Sequence, residues 1–285
     1  MPELPEVETV VRTLRPHVQY QTVTGAVLLR ASSLHALSMP VGRLAGFCIT
    51  DVQRRGKLIV FALDGTHAKD TALRAEHAMR LVVHLRMTGR LMTWPADAAP
   101  HAYTRCVFDL AGPKGASRLF FDDVRAFGQV LLCPEAVLPQ WKYWRSLGPE
   151  PLKMTAADFA GRLVGRQSTL KAVLLDQKTI AGVGNIYADE CLFAARLHPL
   201  RTASSLSAAE SARLLRCLKD VLRRSIAQCG SSIRDYRDAD GNVGAFQNSF
   251  AVYGRSGQPC RHCGNLLQRL CVAGRTTVCC PCCQK

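Results

Sequence analysis

Residues 57–63 read KLIVFAL and residues 80–86 read RLVVHLR, two short apolar runs rich in β-branched side chains, with Arg-Arg-Gly before the first and Asp-Gly after it. Runs of this length and composition, cut off by turn residues, are strands. Working outward, TVTGAVLLR (22–30), FCITDVQ (47–53), RCVFDL (105–110), RLFF (118–121) and GQVLLC (128–133) repeat the texture, with Gly, Pro and Asp separating most of them. The spacing predicts an antiparallel sandwich or barrel. The stretch 64–79, DGTHAKDTALRAEHAM, fits neither a strand nor a helix period and reads as a long surface loop. Ahead of the strands, ELPEVETVVRTLR (3–15) puts Val7, Val10, Val11 and Leu14 at helical spacing, acids early and arginines late. Pro16 is expected to stop that helix.

Downstream the texture changes. Residues 134–151 hold four prolines and two tryptophans and close on Gly-Pro-Glu-Pro, which reads as a linker. Segments 155–165, 168–177, 185–196 and 207–228 have helical spacing, the last opening on a capping box of Ser207 and Glu210. Between the second and third, AGVGN (181–185) forces a tight turn and lets a polyanion approach backbone amides. Residues 230–250 are polar and glycine-containing, a mobile loop by composition, and no internal repeat is found.

The chain of 285 residues is long enough for two domains, and 48% hydrophobic with 21% charged residues is ordinary for a globular protein. No apolar run reaches the roughly 18 residues of a membrane span. The first ten residues are acidic where a signal peptide would be basic, so a cytosolic protein is expected. The formal charge of +15 argues for a polyanionic partner, and it is uneven. Residues 1–150 carry 18 basic and 13 acidic side chains, net +5; residues 151–285 carry 19 and 9, net +10. The second half is the expected phosphate anchor.

Thirteen cysteines without an export signal do not make a disulfide framework. Six lie singly in apolar stretches; seven lie in the last 26 residues. Cys260-x2-Cys263 and Cys280-x2-Cys283, sixteen residues apart, have the spacing of a four-thiolate zinc site built from two knuckles. Cys279 and Cys282 offer the same spacing one residue earlier, and spacing alone does not choose. Residues 251–285 hold five basic residues and no acid, which suits phosphate binding, although many zinc ribbons are purely structural.

The N-terminus is a second candidate site. Met followed by Pro is normally processed, leaving Pro2 with a free secondary amine at the head of a helix. An α-amino group has a pKa of about 8, and the positive helix end would lower it while Glu3 and Glu6 would raise it. Proline is equally at home as a pre-organised first helical residue.

PELPEVE at the start, RRGKL at 54–58, HLRMTG at 84–89, AGVGNIYADE at 181–190, VYGR at 252–255 and the terminal zinc hairpin, taken in this order, resemble bacterial formamidopyrimidine-DNA glycosylases over almost the whole chain. The resemblance implies an α+β protein: an N-terminal antiparallel β-sandwich with flanking helices, a helix-two-turns-helix domain, and a C-terminal β-hairpin zinc finger. Its expected boundaries are a catalytic sandwich at 1–135, a linker at 136–154, a DNA-binding helical domain with a lesion-capping loop at 155–250, and the zinc finger at 251–285. DNA would lie in the cleft between domains. It further implies a cytoplasmic, nucleoid-associated monomer that acts on double-stranded DNA containing oxidised bases or abasic sites. Such an enzyme removes 8-oxoguanine and formamidopyrimidines and then cuts the strand by β,δ-elimination.

By resemblance Pro2 is the nucleophile and Glu3 the acid/base on the sugar oxygen, with Lys57 and Arg275 assisting elimination. Met87, Arg125 and Phe127 match the wedge that fills the gap left by the extruded nucleotide. His84, Asn185 and Tyr253 match phosphate contacts, and Tyr103 and Gln167 fall at DNA-contacting positions often held by His and Lys in relatives. Arg275 has the family offset from the third zinc cysteine, which assigns one structural Zn2+ to Cys260, Cys263, Cys280 and Cys283 and leaves Cys271, Cys279 and Cys282 as spare thiols. Against the family pattern DPRRFG, residues 123–128 read DVRAFG, a change expected to loosen the wedge. Gln167 replaces a cation, so the base pocket is expected to draw on Lys171 or the 230–250 loop.

Overall fold

The computed structural model describes residues 1–66, 68, 78–233 and 236–285. Most of the 64–79 stretch lies outside them. The chain forms two compact units, one of Met1–Arg145 with Ser231–Gly244, the other of Ser146–Gly230 with Ala245–Lys285. Residues 231–244 thus group with the first unit, although chain order sets them after the helices of the second.

The first unit begins with α1 (Leu4–Val18), whose buried stripe is Val7, Val10, Val11, Leu14 and Val18. The helix runs through Pro16 rather than ending there. Proline removes one backbone donor in the last turn, while Val18 beyond it is fully buried in the core, a gain of about 1.5–3 kcal/mol. Eight strands follow: β1 (Thr22–Leu28), β2 (Cys48–Arg55), β3 (Leu58–Asp64), β4 (Met79–His84), β5 (Gly89–Pro95), β6 (Thr104–Ala111), β7 (Ser117–Asp123) and β8 (Gln129–Pro134). The strand at 89–95 has no counterpart among the runs read from the sequence.

The strand order is β5-β7-β6-β1-β2-β3-β4-β8, and every strand pairing is antiparallel. At its middle, β1 and β2 share the single register pair Thr22↔Cys48, so the ladder folds there into two four-stranded layers. One core takes Val23, Leu91, Phe108, Leu119 and Phe121 from the first layer, Ile49, Phe61, Val83 and Leu132 from the second, and the stripe of α1. This is the expected sandwich. Both outer edge strands take backbone hydrogen bonds with chain outside the sheet. Thr93 N–H on β5 donates to Ala239 O (3.4 Å), and His35 and Met39 donate to Val130 O and Leu132 O of β8 (2.9 and 2.8 Å).

The second unit follows a short α2 (Lys142–Ser146) and holds α3 (Ala156–Leu163), α4 (Leu170–Leu175), α5 (Asn185–Ala194) and α6 (Ala208–Ala227). The Ser207/Glu210 capping box of α6 is present, and Glu210 also takes a two-pronged bond from Arg201 (2.6 and 2.8 Å). Helix α5 is buried on nearly every side, from Ile186 to Leu192. The chain ends in the hairpin β9 (Gln268–Val272) and β10 (Arg275–Cys279). Its two-residue turn, Ala273 and Gly274, has φ of +50° and +67°, the left-handed pair that tight hairpins require. No helix among the described residues is long and apolar enough to cross a membrane.

Candidate nucleic-acid interface

In the first unit, strand register gathers the candidate residues at one end of the sandwich. Leu58 pairs with His84 and His84 with Gln129, so Lys57, the loop after His84 and the loop before Gln129 come to one rim. Lys57 itself lies in the Gly56-Lys57 turn of the β2–β3 hairpin, one residue ahead of the strand, and is buried. Helix α1 runs antiparallel to β2: Arg54 Nε meets Glu8 Oε2 at 3.0 Å, Arg15 Nε meets Val52 O at 3.0 Å and Gln19 Nε2 meets Thr50 O at 2.9 Å. Its N-terminus therefore lies at the same rim. Burial pushes the Glu8 carboxyl up, but hydrogen bonds and charge from Arg12 and Arg54 outweigh it and hold Glu8 below its ordinary value.

Pro2 and Glu3 are buried at the head of α1. Glu3 N–H donates to Glu6 Oε2 (2.8 Å), and the other oxygen of Glu6 accepts from Ser231 N (2.8 Å) and Ser231 Oγ (2.9 Å). Glu6 is thus a buried carboxylate that fixes the N-terminus to residue 231, a link the sequence does not announce.

His84 is buried, and desolvation, with Arg86 and Lys57 nearby, pushes its pKa down to about 3. The ring is neutral. Arg86 N–H donates to Nδ1 (3.0 Å), so the proton sits on Nε2, making His84 a neutral donor rather than a cation. A phosphate contact from it would be a hydrogen bond.

The wedge candidates occupy two joined loops. Gly89 N–H closes the first on Leu85 O (2.9 Å), and a side chain at 89 would strike Leu85 O at 2.4 Å. Met87 projects from this loop and Phe127 from the second, 41% and 52% exposed. Asp123, buried, joins the loops: it accepts from Thr88 Oγ1, from Arg125 N (3.2 Å) and from Gly128 N (2.7 Å). Arg105 Nε caps Asp123 O at 2.7 Å. The Arg125 guanidinium lies 5.0 Å over the Phe127 ring, and Asp123 N–H donates to the backbone of exposed Tyr103. None of these anchoring bonds uses the side chain of Val124 or Ala126, the two positions where a looser wedge is expected from the sequence.

In the second unit, Gly182 (φ +88°) turns the chain into α5, whose first residue is Asn185. Asn185 Nδ2 donates to Thr276 O (3.0 Å), which ties the helix start to the residue after Arg275. Arg275 is exposed at the hairpin tip. Glu190 accepts from the backbone N–H of Ala251, Val252 and Tyr253 (2.8, 2.9 and 2.8 Å) and so shapes the loop that presents Tyr253. Gln167 is exposed on the α3–α4 connection.

Lys171 is not available to a base pocket. It is wholly buried, its Nζ 2.7 Å from Asp189 Oδ1, 2.6 Å from Thr277 Oγ1 and 3.2 Å from Thr276 O. Asp189 Oδ2 accepts from Val278 N (3.2 Å). Burial pushes Asp189 up to about 6 despite Lys171. The pair fastens β10 to the helices.

The thiols of Cys260, Cys263, Cys280 and Cys283 all lie within 4.8 Å of one another, two pairs at 3.9 and 3.5 Å. A tetrahedron of sulfurs on zinc has edges of about 3.8 Å. Backbone N–H groups of His262 and Cys283 point at sulfur (3.4 Å each), as the two knuckles need. Four thiolates gathered this closely repel one another and require a cation between them. This set fits a structural zinc ion. Cys279 faces His198 instead (3.9 Å), and Cys271 and Cys282 are exposed.

The chain matches the formamidopyrimidine-DNA glycosylase N-terminal domain over residues 1–130 and the formamidopyrimidine-DNA glycosylase H2TH domain over residues 147–237. It is 52% identical over 248 residues to the formamidopyrimidine-DNA glycosylase of Nitratidesulfovibrio vulgaris, covering 86% of this chain and 67% of that one. The MutM (Fpg) protein of Thermus thermophilus superposes with a TM-score of 0.85 at 41% identity, over 99% of this chain and 98% of that one. Wild-type Lactococcus lactis Fpg, in complex with DNA containing N7-benzyl-Fapy-dG, does so with 0.86 at 32% identity over the full length of both. The chain belongs to the formamidopyrimidine-DNA glycosylase family, enzymes of base excision repair that combine glycosylase and abasic-site lyase activity.

Proposed function

We propose that this enzyme excises oxidised purines, 8-oxoguanine and formamidopyrimidines, through the Pro2 nitrogen and then removes the sugar by β,δ-elimination. In the sequence as it stands that nitrogen is an amide with Met1, so removal of Met1 comes first. The secondary amine attacks C1′, the bond from C1′ to the base breaks, and the base leaves with the electron pair and takes up the proton that the nitrogen gives up. Glu3 gives a proton to the sugar oxygen as the ring opens. The product is a cationic iminium, since the nitrogen, now with three bonds to carbon and one of them doubled, has no proton left to lose.

The iminium acidifies C2′. Loss of that proton sends electrons toward nitrogen and expels the 3′ phosphate; loss of the C4′ proton then expels the 5′ phosphate, leaving a one-nucleotide gap. Lys57 and Arg275 serve these eliminations, Arg275 by holding phosphate. His84, Asn185 and Tyr253 bind backbone phosphates, Tyr103 and Gln167 contact the DNA, and Met87, Arg125 and Phe127 fill the vacated stack, which offsets part of the few kcal/mol that extrusion costs. Zinc, held by the four cysteines, shapes the hairpin that presents Arg275.

The observation that carries this reading is the buried Pro2-Glu3 pair at the head of α1, its backbone fixed by Glu6, on the rim shared with Lys57. Sodium borohydride trapping on duplexes carrying 8-oxoguanine opposite cytosine, beside an oxidised-pyrimidine duplex, tests it. An adduct at residue 2 that favours 8-oxoguanine supports the reading. Pyrimidine preference overturns the substrate, and binding without an adduct overturns the chemistry.

A further inference from the structure

We infer that Asp238 and Ser232 are positioning residues that set where the segment beside Pro2 meets the damaged base. This rests on the glycosylase reading above. A base leaving a C1′ that bonds to the Pro2 nitrogen lies within a nucleobase's breadth of that nitrogen. The segment hydrogen-bonded into this corner from far along the chain is Ser231, through Glu6. Close to it Ile233 leaves its side chain 47% exposed.

The described residues of 231–244 bury little apolar surface: Ala239 enters the core and Tyr236 packs against it. Ordering a backbone costs about 1–2 kcal/mol per residue, so polar pins must set this segment's position. Two do. Ser232 Oγ donates to Tyr236 O (3.0 Å) and accepts from Gly244 N (2.9 Å), closing the segment on itself. Asp238, 3% exposed, accepts from Asp240 N and Asn242 N through Oδ1 (3.0 and 2.8 Å), forming a tight turn. That turn is fastened to α1, where Ala239 N–H donates to Thr13 Oγ1 (3.1 Å) and Asp240 Oδ1 meets His17 Nε2 (2.7 Å). The segment therefore meets α1 at Glu6, through Ser231, and again at Thr13 and His17, through Ala239 and Asp240, and these ties set Ser231 and its neighbour Ile233.

Abasic DNA has no base to recognise, which separates positioning from general folding. Single-turnover base excision from an 8-oxoguanine:cytosine duplex and strand scission at a preformed abasic site are measured on the same preparations. Asp238→Ala and Ser232→Ala should each slow base excision on the order of tenfold to a hundredfold, the range that a misplacement of about an ångström produces. Abasic scission should stay within about twofold. Asp238→Asn, which keeps an acceptor oxygen for both N–H groups, should restore most of the excision rate. Equal loss of both activities, or no loss of excision, overturns the inference. Absence of adduct and scission on abasic DNA in the unaltered enzyme sinks the parent reading instead.

Discussion

Replacing Lys171 by methionine should destabilise the second unit strongly, and more at alkaline than at acid pH. Lys171 and Asp189 are 0% and 1% exposed with 2.7 Å between Nζ and Oδ1, so removing the ammonium leaves a carboxylate in the interior with the Val278 N–H to serve it. Breaking a buried pair in this way costs about 3–5 kcal/mol, which for a protein of this size lowers Tm by roughly 10 °C. The cost depends on protonation. Asp189 is already held up to about 6, first by burial, and loss of Lys171 raises it further. A carboxyl whose folded value lies above its unfolded value gives its full stability below the unfolded value and loses it as pH rises through the folded one. Scanning calorimetry of the zinc-loaded protein should therefore show a smaller deficit for Lys171→Met at pH 5.5 than at pH 8. The double variant Lys171→Met, Asp189→Leu, with an apolar pair in place of the ions, should recover much of the loss. A Tm within about 2 °C of the unaltered protein at pH 8, or a deficit that grows on acidification, would refute the reasoning.

Pro2→Gly, which exchanges a secondary for a primary amine, should abolish most base excision while sparing lesion binding; parallel loss of both in gel-shift and single-turnover assays counts against the nucleophile. Cys260→Ser should release zinc, read by elemental analysis, and weaken DNA affinity with a shallower salt dependence, so unchanged affinity in the zinc-free variant would remove the hairpin from the DNA-binding surface. His84→Gln should flatten the acid side of the stability profile. Because His84 is depressed to about 3, its contribution is intact above the unfolded value near 6.5 and drains as pH falls toward 3, roughly 2 kcal/mol between pH 7 and pH 5. Urea unfolding at those two pH values checks it, and identical slopes in both proteins would show His84 titrating normally.

The architecture was legible wherever one period dominated. The runs around Ile59, Leu81 and Leu131 alternate or are wholly apolar, and α6 opens on its Ser207 cap. β5 escaped because Met92, Thr93 and Trp94 are all half-buried, leaving no alternation to read. Helix α1 overran Pro16 because a tertiary contact, the burial of Val18, outweighed a local rule. Motif order supplied the candidate site residues one by one, yet their supports were invisible. Glu6, Asp123, Asp189 and Glu190 look like surface acids in the sequence and are instead interior acceptors for backbone amides. Lys171 misled for the same reason: a lysine reads as available charge until its partner is seen.

The bond between the edge of β5 and Ala239 has a consequence for synthesis. Ala239 emerges from the ribosome about 95 residues after Arg145, the last residue of the first stretch of its unit. At roughly 5–20 residues per second, the sandwich spends on the order of 5–20 s with that edge open. During that interval β5 lacks the backbone acceptor that Ala239 supplies in the finished enzyme, and this is when strand-to-strand association between chains on neighbouring ribosomes would occur.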